Sequence, residues 1–201
     1  LDRIATEYRV DAHRVFVAGF SNGASMAFRI AAELPQRIAA IAPVAGSCWM
    51  ENLPAMGGVS ICYLSGTADP LNPLEGGYPR LATGGADQGG KPKPPVRVTM
   101  EKWIRALGCP ETPAHEARVN GVHLRRHGTG RDGATVEFIT VEDLGHVWPG
   151  GNAPAPAFLV GHANDRLNAT DTVWDFFRAH PASPEKRPGA NPHSAAPRGS
   201  P

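Results

Sequence analysis

Apolar residues recur along the chain with two different spacings, and the switches between them predict strands followed by helices. Arg14-Val15-Phe16-Val17-Ala18 is β-branched and aromatic enough for a buried strand. After it, Met26, Ile30 and Leu34 stand at i, i+4 and i+8 with Ala27 and Ala31 beside them, the spacing of a helix's buried face. Residues 60–65 and 135–141 read as two more strands, and Val122-His123-Leu124 pairs with the second across a Gly-rich turn to make a hairpin. Met100, Trp103, Ile104 and Leu107 mark a helix that Thr99 is placed to cap and that Gly108 and Pro110 end, which makes Trp103 a core residue. A last helix over residues 170–179 is expected to bury Val173, Trp174 and Phe177. Asn168-Ala169-Thr170 before it is formally a glycosylation sequon, but a helix N-cap is the reading preferred. At the other end, Leu1, Ile4, Ala5 and Tyr8 form an amphipathic helix that expects a sheet to cover.

Two stretches lack this periodicity. Residues 72–95 carry three Gly-Gly pairs and then alternate Lys with Pro, so a long surface loop is expected there. It follows a strand-end turn and is expected to flank a substrate cleft, with Tyr78 as a contact; a solvated insertion is the alternative. From Pro181 onward Pro, Ala, Ser and Gly dominate, which divides the chain into a domain over residues 1–180 and a disordered tail over 181–201.

Composition fits a globular domain. Hydrophobic residues make up 41% of the 201, and no run approaches the roughly 18 apolar residues of a membrane span. The formal charge is +1, with Lys and Arg scattered; Arg125-Arg126 reads as a solvated strand face, so nucleic-acid binding has no support. Cys48, Cys62 and Cys109 form an odd set without metal-ligand spacing, and Cys62 reads as a core residue. No metal or organic cofactor is called for.

The chemistry is concentrated in Gly19-Phe20-Ser21-Asn22-Gly23, a G-x-S-x-G pentapeptide between a strand and a helix. A sharp strand-to-helix turn of this kind lifts a serine hydroxyl out of the sheet, and its glycines leave room that a Cβ would fill. Such a serine needs a general base and an acid that orients it, and in folds with this turn the order is Ser, then Asp or Glu, then His. The strand over 60–65 ends in Gly66-Thr67-Ala68-Asp69-Pro70, and that over 135–141 ends in Glu142-Asp143-Leu144-Gly145-His146. Asp69 is thus the candidate acid and His146 the candidate base. Asp143 ranks second, because a carboxylate three residues from the imidazole on one loop seldom reaches its far nitrogen. Of the eight histidines, those at 13, 115, 123, 127, 162, 180 and 193 are expected to be solvated.

These segments carry a resemblance. The stretch from Tyr8-Arg9-Val10-Asp11 to Gly23, the run Ile41-Ala42-Pro43-Val44-Ala45-Gly46, the Gly66–Pro70 turn and above all Gly145-His146-Val147-Trp148-Pro149-Gly150-Gly151 are similar to the polyhydroxybutyrate depolymerase-like esterases, a group that includes feruloyl and acetylxylan esterases. The resemblance covers residues 1–180. It implies an α/β-hydrolase fold, a mostly parallel sheet flanked by helices, with Ser21 as nucleophile, Asp69 as orienting acid and His146 as base. It further implies a polymeric or small-molecule ester substrate and an extracellular or periplasmic home. Trp148 is a candidate apolar wall for the substrate or a brace for its loop, and Trp49 and Tyr78 are weaker substrate-binding candidates.

The chain also departs from that pattern. Family members carry part of their sheet and one oxyanion-hole donor upstream of the elbow, so this chain is expected to be a C-terminal portion lacking its N-terminal strands. The Asn22 N–H supplies one oxyanion donor, and loss of the other costs about 10²–10³ in turnover; the 201 residues alone are expected to be weakly active or inactive. Relatives pair a cysteine at the position of Cys109 with one near Thr129, where this chain has none. The triad does not encode the scissile bond. A serine peptidase, another α/β-hydrolase and a non-catalytic binding domain of the same fold therefore stand as alternatives, and oligomeric state is open.

Overall fold

A computed structural model describes residues 1–79 and 91–183. The loop expected over 72–95 therefore lies partly outside the described residues, and most of the tail lies outside them as well. Its elements are α1 (Asp2–Glu7), β1 (Phe16–Phe20), α2 (Asn22–Glu33), β2 (Ala40–Val44), β3 (Ser60–Gly66), α3 (Val96–Leu107), β4 (His115–Val119), β5 (Val122–His127), β6 (Val136–Val141), α4 (Ala157–Val160) and α5 (Ala169–Ala179). The strands form one sheet in the order β1-β2-β3-β6-β5-β4. β1, β2, β3 and β6 run parallel, and β5 and β4 extend the sheet antiparallel. No helix among the described residues is long and apolar enough to cross a membrane.

Both faces of the sheet are covered, so its central strands are apolar throughout. β2 and β3 are buried at every position. Their side chains alternate between two cores: Ile41, Ile61 and Tyr63 join Phe28, Trp103 and Leu107 under α2 and α3, while Ala42, Val44, Cys62 and Leu64 join Val173 and Phe177 under α5. Phe28 lies between Tyr63 and Trp103, with ring centroids 5.8 and 5.6 Å away. Trp103 is fully buried, as its spacing predicts.

Several expected faces are rotated. α2 buries Ala24, Ala27, Phe28, Ala31 and Ala32, whereas Met26 and Leu34 are exposed and Ile30 is half-buried. The alanine stripe lets the helix lie close on β1 and β2, with Phe28 as its one large anchor, and at about 100° per residue Met26 faces the opposite way. In α5 the stripe is Ala169, Val173, Phe176 and Phe177, and Trp174 is exposed. β1 is half-buried rather than buried, because as the outer strand it has a neighbour on one side only among the described residues. α1 buries none of its residues, so the sheet expected under its apolar face is not found among the described elements.

Capping corrects one boundary and supports two. α3 begins after Pro95, four residues earlier than expected, and Thr99 is a buried residue inside it rather than its cap. Gly108 ends it with a left-handed φ of 69°. Asn168 caps α5, its side chain accepting from the N–H groups of Thr170 and Asp171. β4 was not expected; it is joined to β5 by Asn120-Gly121, both at positive φ, as a two-residue hairpin turn requires. Arg125 and Arg126 on β5 pair with Glu116 and Glu137 of the neighbouring strands. The three cysteines are buried free thiols.

Candidate active site

Ser21 sits between the end of β1 and the start of α2, Asp69 follows β3, and His146 follows β6. Since these strands are parallel, all three residues emerge at the same rim of the sheet. Ser21 has φ 56° and ψ −116°, a conformation that costs a side-chain-bearing residue about 1–3 kcal/mol and must be held by its surroundings. Its N–H donates to Val44 O on β2, and its own carbonyl accepts from Ala24 and Ser25 in the first turn of α2.

Two glycines make the elbow possible. A Cβ at Gly19 would lie 2.2 Å from Gly23 O, and one at Gly46 would lie 2.4 Å from Ser21 O. Gly23, the other glycine of the pentapeptide, has nothing within 4 Å of that position. The steric need therefore falls on Gly19 and on a residue outside the motif, Gly46, rather than on both glycines of G-x-S-x-G.

The side chains form a chain of hydrogen bonds. His146 Nε2 is 2.9 Å from Ser21 Oγ, and His146 Nδ1 is 2.8 Å from Asp69 Oδ2. An ionised carboxylate only accepts, so Nδ1 carries the hydrogen and Nε2 presents its lone pair to the serine hydroxyl. Asp69 Oδ1 accepts from the N–H groups of Leu71 and Asn72, which fixes the carboxylate in its turn. Asp69 and His146 are both buried. The His146 ring also packs on Phe20, centroids 4.8 Å apart, and its backbone N–H donates to Val160 O. Asp143, the second-ranked acid, is exposed and pairs with Arg166 instead.

The other candidates divide. Asn22 opens α2, where the first N–H groups of a helix have no partner inside it, so its N–H is free to serve an anion. Trp148 donates from Nε1 to Thr170 Oγ1 on α5 and packs on the core beneath, which braces the histidine loop. Trp49 and Tyr78 are exposed. Of the remaining histidines, His127 is buried rather than solvated, donating from Nδ1 to Pro110 O. His180 is half-buried against Phe176, and His193 lies outside the described residues.

Sequence reasoning missed the support beneath the acid. Asn72 is buried; its Oδ1 accepts from Ser47 Oγ at 2.7 Å and its Nδ2 donates to Tyr63 OH at 3.1 Å. Tyr63 OH in turn donates to Gly46 O, linking the acid turn to the glycine that cradles the elbow. Burial pushes the Tyr63 hydroxyl well above its ordinary range, so it remains a neutral donor. A hydroxyl-bearing Tyr within an apolar strand and an Asn three residues after the acid were the available signals. A separate cavity of about 550 Å³ between α3 and β4–β6 includes Met100, Ile104 and Phe138 in its wall and is lined by none of Ser21, Asp69 and His146. Among the described residues no group of three or more His, Cys, Asp or Glu is placed to hold a metal ion.

Comparison with known proteins finds two similar sequences and a solved structure. The chain is 36% identical over 192 residues to "Putative esterase NocK" of Nocardia uniformis subsp. tsuyamanensis, a match that covers 88% of this chain and 54% of the relative. It is 25% identical over 165 residues to "Poly(3-hydroxyalkanoate) depolymerase C" of Paucimonas lemoignei, covering 74% of this chain and 39% of that protein. The chain thus spans about half or less of the length of these curated relatives. A solved thermostable esterase superposes with a TM-score of 0.41 at 16% identity, over 70% of this chain and 26% of that one. No protein-family model matches the chain. Its mostly parallel sheet and strand–serine–helix elbow fit an α/β-hydrolase-like fold, and its sequence is similar to proteins named as an esterase and a poly(3-hydroxyalkanoate) depolymerase.

Proposed function

We propose that residues 1–180 form the part of a serine carboxylester hydrolase that carries its nucleophile, acid and base, acting on polyester (hydroxyalkanoate) or aryl and acyl esters. The observation that carries this reading is the pair of hydrogen bonds on opposite nitrogens of one ring, His146 Nε2 to Ser21 Oγ at 2.9 Å and His146 Nδ1 to Asp69 Oδ2 at 2.8 Å. Ser21 Oγ attacks the ester carbonyl as His146 takes its proton, and Asp69 stabilises the resulting imidazolium. The oxyanion is met by the Asn22 N–H at the start of α2, where the helix dipole favours negative charge. The tetrahedral intermediate expels the alcohol, which leaves with the proton from His146. Water, deprotonated by the same ring, then hydrolyses the acyl-enzyme and restores the serine.

The resemblance also supports an extracellular or periplasmic location for the whole protein. A fluorophosphonate probe tests the nucleophile: the full-length protein should label and its Ser21→Ala variant should not. Failure of the full-length protein to label would favour a binding domain that has kept the fold. A panel of short acyl esters, hydroxybutyrate oligomers, feruloyl esters and peptide amides separates esterase from peptidase and ranks the esters.

A further inference from the structure

Lys93 is a cation held in place beside the acid of the candidate triad. Its backbone is bridged to Gly77 on both sides, Gly77 N to Lys93 O at 2.9 Å and Lys93 N to Gly77 O at 2.8 Å. Pro92 and Pro94 flank it and fix φ at each neighbour, which narrows the backbone freedom of the segment that carries the side chain. The side chain is half-buried, and its Nζ lies 3.5 Å from Asn72 Oδ1, a long charge–dipole contact. Asn72 is the residue whose N–H binds Asp69 Oδ1 at 2.7 Å. Burial draws the ammonium below its ordinary range, and the charge of Asp69 pulls it back up, so the two groups feel each other.

We propose that Lys93 is a positioning residue for the Asp69–His146 pair: its ammonium, held through Asn72, offsets part of the Asp69 charge and keeps the His146 imidazole neutral to lower pH. The proposal rests on the reading of His146 as general base and names what tunes it. A free base is what the serine needs, so this charge widens the pH range over which the imidazole can accept a proton. The other groups near the pair act differently. Ser21 on the elbow and Tyr63 on β3 are uncharged, and the Asp143–Arg166 pair and His162, on the rim behind Gly145, are exposed and screened by solvent.

The test is a titration of the His146 ring by NMR in protein labelled with ¹⁵N-histidine, using His146→Gln to identify its signals. Lys93→Met keeps the length of the side chain and removes the charge. It should raise the His146 midpoint by about half a pH unit, and Lys93→Arg should restore the wild-type value. A midpoint that moves by less than about 0.2 unit in Lys93→Met overturns the proposal, as does a shift that Lys93→Arg fails to reverse. Lys93→Gln provides a second neutral variant should Lys93→Met not fold. Because this readout needs no turnover, it is separate from fluorophosphonate labelling. A labelled full-length protein with an unmoved midpoint sinks only the role of Lys93, whereas an unlabelled full-length protein with a shifted midpoint sinks only the hydrolase reading.

Discussion

Gly46 and Ser21 meet backbone to backbone: a Cβ at 46 would stand 2.4 Å from the serine carbonyl oxygen and 2.5 Å from Ala24 Cβ. β2 therefore supports the elbow on β1 from beside it, and the strained Ser21 conformation depends on a residue 25 positions further along the chain. Gly46→Ala should push α2 off the sheet, lower stability by about 1–3 kcal/mol and slow fluorophosphonate labelling of Ser21. Gly23→Ala should do neither, because it enters open space in the first turn of α2 and adds a better helix former. Thermal melts and labelling rates of the two variants check this. Equal effects in both would contradict the steric account.

Asp69→Asn removes the charge that fixes the ring of His146 and lets an amide N–H face Nδ1. The imidazole then favours the tautomer with its hydrogen on Nε2, which cannot take the serine proton. Labelling should fall by roughly 10³–10⁴-fold while the fold is kept. Asp143→Asn should leave labelling within about twofold, since that carboxylate pairs with Arg166 in solvent. Comparison of the two labelling rates decides which acid serves the base.

The strand ends were legible because each candidate residue follows an apolar run at the rim where parallel strands place their loops. Ser21, Asp69 and His146 could be picked out as a candidate triad for that reason. What surrounds them was not legible. Tyr63 reads as one more large residue of β3, and only three-dimensional contact shows its hydroxyl joining Asn72 to Gly46. Helix faces misled where alanine did the packing: a period built on Met26, Ile30 and Leu34 placed Ala27 and Ala31 correctly but passed over Ala24, Phe28 and Ala32, which are buried with them. The Asn120-Gly121 turn was a readable hairpin signal, but Val119 and Val122 on either side of it stand among charged residues, and β4 is largely exposed.

The two tryptophans on α3 and α5 separate core from surface. Trp103 is fully buried against Phe28, and Trp103→Ala should cost about 3–5 kcal/mol of unfolding free energy. Trp174 is 59% exposed, and Trp174→Ala should stay within about 0.5 kcal/mol. Denaturant unfolding of each variant measures both, and a large loss in Trp174→Ala would show that its face is covered in solution.

The three thiols give a pH prediction with a defined sign. Burial raises the pKa of Cys48, Cys62 and Cys109 above the usual thiol range, most strongly at Cys62, where the charge of Glu137 adds to the effect. Each thiol is neutral in the fold at a pH where the unfolded chain already holds a thiolate. Their contribution to stability is therefore fully present below the ordinary thiol pKa of about 8.5 and is lost as pH rises through it toward the folded values. Stability measured by urea unfolding should be flat in this respect from pH 6 to 8 and decline above about pH 9, and replacing Cys62 with Ala should flatten the decline. The same burial makes the thiolates scarce and hidden, so a thiol reagent at pH 8 should find none in the native protein and all three of its cysteines once it is unfolded. Rapid native reaction of any one of them would show that the core around it opens on the timescale of the assay.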